Sequence, residues 1–183
     1  MANAADKELI NEFRDPKSRN FAFSKLVNTY QERLYWHIRR IVIDHDDADD
    51  VLQNTFIKAF NNLDKFREDS QLFTWLYRIA TNESLTFLKK KKTGLFVSLD
   101  DIGHTLSSKL EASPELSGDV IQLKLQQAIL TLPNKQRLVF NMKYFEEMKY
   151  DEIAEVTGTS VGALKASYHH AVKKIEAYVK SQF

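Results

Sequence analysis

The chain contains no cysteine, which excludes disulfide staples, thiolate zinc sites and cysteine nucleophiles. Glycine and proline are scarce, five and three among 183 residues, which disfavours a turn-rich all-β fold and favours helix. No apolar run approaches the roughly 18 residues that a membrane span needs. The start Met1-Ala2-Asn3-Ala4-Ala5-Asp6-Lys7 also lacks the basic-then-apolar layout of a signal peptide. No membrane insertion and a cytoplasmic location are therefore expected. Net charge is nearly absent at +1, which argues against a generic nucleic-acid coat. No Ser/His/Asp spacing, phosphate-cradling glycine loop or HExxH pattern is present, so the chain is expected to be no enzyme, with no cofactor and no resident metal.

What is present is a composition able to fold: 43% hydrophobic, 28% charged and 11% aromatic residues, enough for one ordinary domain or two small ones. The small net charge hides segregation, with +2 over residues 1–92, −4 over 93–121 and +3 over 122–183. Charge is patterned along the chain.

Apolar positions recur at helical spacing in three early segments. From Phe23 to Ile41 a stripe of Phe23, Leu26, Val27, Tyr30, Leu34, Ile38 and Ile41 predicts one long helix. A second runs from Asp46 to Leu63, with Asp46, Asp47, Asp49 and Asp50 gathered at its start, where the helix dipole favours carboxylates. A third is capped near Asp69 or Ser70 and passes through Trp75 to Leu88, closing on Lys89 to Lys92. Its tract Phe66-Arg67-Glu68-Asp69-Ser70-Gln71-Leu72-Phe73-Thr74-Trp75-Leu76-Tyr77-Arg78 sets rings beside cations, the pairing that unpaired nucleic acid binds. Trp75, Leu76, Ile79 and Ala80 are equally compatible with core.

Between Thr93 and Gly118 periodicity fades among serines, glycines, Pro114 and acids, predicting a flexible acidic linker. A second helical unit follows from about Val120, punctuated at Leu132-Pro133. Within it, Ile153-Ala154, Gly158, Val161 and Leu164 have the spacing of a helix-turn-helix: a small residue at the crossing, then a glycine for a turn that needs positive φ. Ser160 would cap the second helix, with Val161, Leu164, Tyr168 or Ala171, and Ile175 inward. Lys165, Ala166, His169, His170 and Lys173, with Ala163 and Lys174, would face a major groove.

In this order, three blocks resemble bacterial RNA polymerase sigma factors of the extracytoplasmic-function group in the sigma-70 family. They are Asp47-Ala48-Asp49-Asp50-Val51-Leu52-Gln53-Asn54-Thr55-Phe56 with Leu63-Asp64-Lys65-Phe66, then Phe73 to Ala80, then Leu132-Pro133 through Tyr150-Asp151-Glu152-Ile153-Ala154 to Val161-Gly162-Ala163-Leu164-Lys165. The likeness spans roughly 20–92 and 122–180, leaving the tail and linker outside. It implies an all-α fold of two small helical domains, 1–92 and 122–183, joined by a flexible linker over 93–121. The implied partners are core RNA polymerase, promoter DNA and an anti-sigma factor packing between the domains. Core contacts are implied for Asp49, Asp50, Gln53 and Asn54, with Asn54 departing from the usual acid. The proximal element would be captured and melted by Phe66, Arg67, Ser70, Phe73, Trp75, Arg78, Lys89 and Lys90, and the distal element read by Lys165, Ala166, His169, His170 and Lys173. A single tryptophan stands where housekeeping relatives use two, implying weaker melting and stricter promoter choice. Ser167 and His170 stand where relatives often carry arginine, implying weak DNA affinity for the isolated second domain and reliance on tethering.

Two other functions fit parts of the pattern. A helix-turn-helix regulator that ignores polymerase would leave the Asp47 to Gln53 block without a role. A nuclease using Asp46, Asp47, Asp49 and Asp50 with a divalent cation would need acids that converge, and neighbours on one helix do not.

Overall fold

In the computed structural model, residues 3–67, 69–95 and 120–181 are described. Among them are eight α-helices, one 3-10 turn and no strand, the all-α architecture that the resemblance implies and the scarcity of glycine and proline favours. The helices form two compact units, the first built on the helices before Phe87 and the second on those of the C-terminal third.

The chain opens with a helix that the periodicity reading passes over as tail. In α1 (Ala4–Arg14), the Asn3 side chain accepts from the Asp6 N–H at 2.8 Å, and Ile10 and Phe13 are buried. Then α2 (Arg19–Val42) begins one turn before the expected Phe23 and buries Leu26, Leu34, Ile38 and Ile41. Next, α3 (His45–Asn62) is capped by Asp44, whose carboxylate accepts from the Asp47 N–H at 3.1 Å. A 3-10 turn, Leu63–Lys65, ends it.

The expected third helix, α4 (Leu72–Leu95), continues seven residues past Leu88. It carries the lysine run inside the helix rather than at its end, because four lysines are good helix formers and Gly94 costs little so near a terminus. The first three residues of the expected linker, 93–95, are thus helical. The remainder, 96–119, lies outside the described residues.

Packing in the first unit joins α1 to α2 and to the 3-10 turn, and α2 to α3. Phe13 and Phe23 meet Phe60 edge-on, with ring centroids 5.4 and 5.0 Å apart. Leu26, Leu34, Ile38, Leu72 and Leu76 are fully buried, each contributing about 1.5–3 kcal/mol. His37 is a polar exception inside this core. Its Nε2 meets Thr81 Oγ1 at 2.9 Å and its ring lies 4.6 Å from that of Tyr77. Burial, with Arg40 nearby, pushes its pKa down to about 3, so the imidazole is neutral.

The second unit comprises α5 (Val120–Leu130), α6 (Asn134–Tyr144), α7 (Tyr150–Thr157) and α8 (Val161–Ser181). Pro133 sits at the N-cap of α6, close to the first-turn positions where its missing N–H costs nothing. The long α8 packs on α5 and α6 around Ala128, Ile129, Leu132, Phe140, Ala171 and Ile175.

Candidate polymerase and nucleic-acid interface

The acidic block occupies the first turns of α3. The junction before it is strained: buried Ile43 adopts φ +68° while its N–H still bonds the Arg39 carbonyl at 2.9 Å. A β-branched residue there costs about 1–3 kcal/mol. The turn delivers Asp44 to its cap. Asp49 is engaged by His45, Nε2 to Oδ2 3.6 Å, and Tyr35 reaches the other nitrogen of that ring at 2.6 Å. Asp50, Gln53 and Asn54 are exposed. Ile57, 58% exposed, continues the same face four residues after Gln53. It stands outside the apolar stripe of α3 and carries no charge, so neither periodicity nor charge patterning singles it out in the sequence. Among the described residues, no three His, Asp or Glu side chains converge as a cation would require.

Between the 3-10 turn and α4 runs the short segment that carries the aromatic and basic tract. Arg67 is exposed and Ser70 half-buried. Phe66 is only 5% exposed, its ring 5.3 Å from that of Trp75. It therefore backs Trp75 rather than offering a free face. Trp75 is half-buried and opens onto a recess of about 360 Å³ lined also by Lys58, Asn62, Lys65, Asn82 and Glu83. Lys58 and Glu83 are ion-paired across it. Phe73 lies on Tyr77 at 4.6 Å with the Arg33 guanidinium 4.9 Å from its ring. Arg78, Lys89 and Lys90 are exposed. From Trp75, the residues Arg78, Asn82 and Lys89 follow at steps of three, four and seven, one face of a helix.

In the second unit, α7 ends at Gly158, φ +67°, whose N–H bonds the Ala154 carbonyl at 2.8 Å. This is the left-handed cap that the spacing predicts. At the other end of α7, Glu152 accepts from the Lys149 N–H at 2.7 Å. Ser160 Oγ accepts from the Ala163 N–H at 3.4 Å, a long cap for α8. Leu164, Ala171 and Ile175 are buried, whereas Val161 and Tyr168 are half-buried. Ala163, Lys165, Ala166, His169, His170, Lys173 and Lys174 are all exposed, and Lys165 Nζ stands 5.8 Å from the Tyr150 ring. One helix thus has its core side and its polar side cleanly apart.

These two surfaces coincide with two recognised sequence families. Residues 26–93 match Sigma-70 region 2 and residues 122–175 match Sigma-70 region 4. The chain is 35% identical to the ECF RNA polymerase sigma factor SigW of Bacillus subtilis, over 81% of this chain and 83% of that protein. The chain belongs to the extracytoplasmic-function group of sigma-70 family sigma factors. The RNA polymerase sigma-H factor of Pseudomonas aeruginosa is 31% identical over 96% of this chain and 94% of its own. Among solved structures, the sigma factor RpoE of Bartonella quintana, in complex with the anti-sigma factor NepR, superposes with a TM-score of 0.68. That match has 20% identity and covers 86% of this chain and 96% of that one; it concerns the fold alone. As a sigma factor, the chain directs promoter-specific initiation of transcription.

Proposed function

We propose a division of labour in which the first unit holds polymerase and opens DNA while the second reads the distal promoter element. The carrying observation is the sorting of solvent-reaching side chains: acids and amides on α3, half-buried rings beside exposed cations along α4, small and basic residues on α8. On α3, Asp49, Asp50, Gln53 and Asn54 dock on the clamp helices of the largest polymerase subunit, and Ile57 extends that face with an apolar contact. Around α4, Arg67, Ser70, Phe73 and Trp75 take a base flipped from the proximal element. Unstacking costs a few kcal/mol, which phosphate contacts from Arg78, Lys89 and Lys90 offset. Phe66 acts through Trp75.

On α8, Lys165, Ala166, His169 and His170 meet base edges of the distal element and Lys173 a phosphate. The factor is non-catalytic and works where polymerase works, in the cytoplasm. An anti-sigma protein is its natural inhibitor, a partner type that the Bartonella quintana structure contains. Run-off transcription with core polymerase tests the assignment: discrete transcripts should start at defined sites with the chain present and vanish in its absence. Loss of those transcripts with Asp50→Ala and Gln53→Ala, together with loss of co-purification, would place docking on α3. Unchanged co-purification would move it elsewhere.

A further inference from the structure

The helix before the matched region has polar contacts that its own packing does not require, and they converge on the segment between α3 and α4. Asp6 is 6% exposed, and its Oδ2 accepts from the backbone N–H of Leu72 at 3.4 Å. Leu72 is the first residue of α4, so this N–H has no partner within the helix. The carboxylate of α1 therefore serves as a long-range cap of α4, on the end where the helix dipole favours negative charge. Tyr30 donates to the other oxygen, Oδ1, at 3.4 Å; burial and that carboxylate push its pKa up to about 12, keeping the phenol a donor.

At the far end of α1, Arg14 Nη2 donates to the Phe66 carbonyl at 3.3 Å. Just beyond it, Arg19 pairs with Asp64 at 2.5 Å, its guanidinium 4.4 Å from the Phe13 ring and 5.2 Å from that of Phe60. Contacts therefore fall at Asp64, Phe66 and Leu72, bracketing the exposed residues Arg67 and Asp69.

We infer that Asp6, Arg14 and Arg19 are positioning residues that hold Asp64, Phe66 and Leu72, the residues on either side of Arg67 and Ser70, where a flipped promoter base is received. None of the three touches DNA in this scheme. Ordering a free segment when DNA arrives would subtract from affinity, and a segment already pinned avoids that loss. The inference rests on the assignment of Arg67 to Phe73 and Trp75 to base capture, and the experiment separates the two.

Holoenzyme made from core polymerase and the full chain is titrated with fork DNA from a promoter that it transcribes, duplex upstream and single-stranded across the proximal element. Each position of the element is tested intact and as an abasic site. Trp75→Ala serves as reference, and should weaken binding to the intact fork but add no further loss to the fork that is abasic at the captured position. Asp6→Ala and Arg14→Ala should weaken binding to the intact fork by roughly 5-fold, the effect of one or two lost hydrogen bonds, and lose that effect on the same abasic fork. Asp6→Asn, which keeps an acceptor for the Leu72 N–H, should bind within about 2-fold of the parent. Arg14 is exposed, so its variant remains informative if Asp6→Ala folds poorly. If Trp75→Ala shows the abasic dependence while both α1 variants bind like the parent, or weaken intact and abasic forks equally, positioning by α1 is overturned. If Trp75→Ala itself shows no abasic dependence, base capture at this segment is overturned and the inference goes with it.

Discussion

In the first unit the rings proposed to meet DNA are also packed against neighbouring side chains, whereas in the second the proposed contact residues and the core residues lie on opposite sides of one helix. Trp75 backs onto Phe66 and Phe73 onto Tyr77, so each ring proposed to stack on a base is also packed on its neighbour. On α8, by contrast, Leu164, Ala171 and Ile175 are buried while Lys165, Ala166, His169, His170 and Lys173 are exposed. On the proposed assignment, stability and recognition are entangled in one body and separable in the other. The reason is chemical. Opening a duplex calls for large apolar faces, which a folded protein also buries, while reading a groove calls for small and polar side chains that the core does not need.

The contrast can be broken most forcefully from the core side of α8. Leu164→Ala should cost about 3 kcal/mol through the lost transfer energy and cavity and unfold the second unit first. Both tryptophans, Trp36 and Trp75, belong to the first unit, so their fluorescence should keep its parental urea midpoint while far-UV circular dichroism shows an earlier transition.

Acid should do the reverse. His37 has an unfolded-state pKa near 6.5 and a folded one of about 3. Unfolding therefore takes up a proton between those values, and stability that is complete above pH 6.5 falls as pH drops. The slope is about 1.4 kcal/mol per pH unit, or roughly 2 kcal/mol lost by pH 5. The tryptophan-reported midpoint should fall between pH 7 and 5, and His37→Gln should flatten that dependence.

A backbone effect sharpens the comparison further. Nothing stands near a Cβ placed on Gly158, so Gly158→Ala meets no clash and loses only about 1 kcal/mol to its positive φ, read as a small shift in the circular dichroism midpoint. Smallest in stability is Lys165→Ala, under about 0.5 kcal/mol. It should nevertheless relax preference at one distal-element position by about 1–3 kcal/mol, measured by competition between promoter variants.

Much of this arrangement is legible in the chain itself, and the exceptions have physical causes. The stripes from Leu26 to Ile41 and from Ala48 to Leu63 announce α2 and α3 because half-buried helices must repeat every three or four residues. Gly158 announces the turn because few other residues adopt its φ. Missed was α1, although Asn3 before Ala4 and the pair Ile10 and Phe13 carry a cap and a short stripe; eleven residues give a weak periodic signal. Phe66 shows the opposite limit. Its place in an aromatic tract fits a contact residue, and only the fold puts it behind Trp75. The contacts from Asp6, Arg14 and Arg19 to the 64–72 segment span up to 66 residues, and pairing at that range leaves no local pattern.

Promoter opening followed by 2-aminopurine fluorescence, with the first binding step recorded on the same DNA, tests the separation of roles most directly. Trp75→Ala should slow or abolish opening while leaving initial duplex binding near the parent, and Lys165→Ala should weaken initial binding while leaving the opening rate of bound complexes unchanged. Equal effects of both substitutions on the same step would contradict the account.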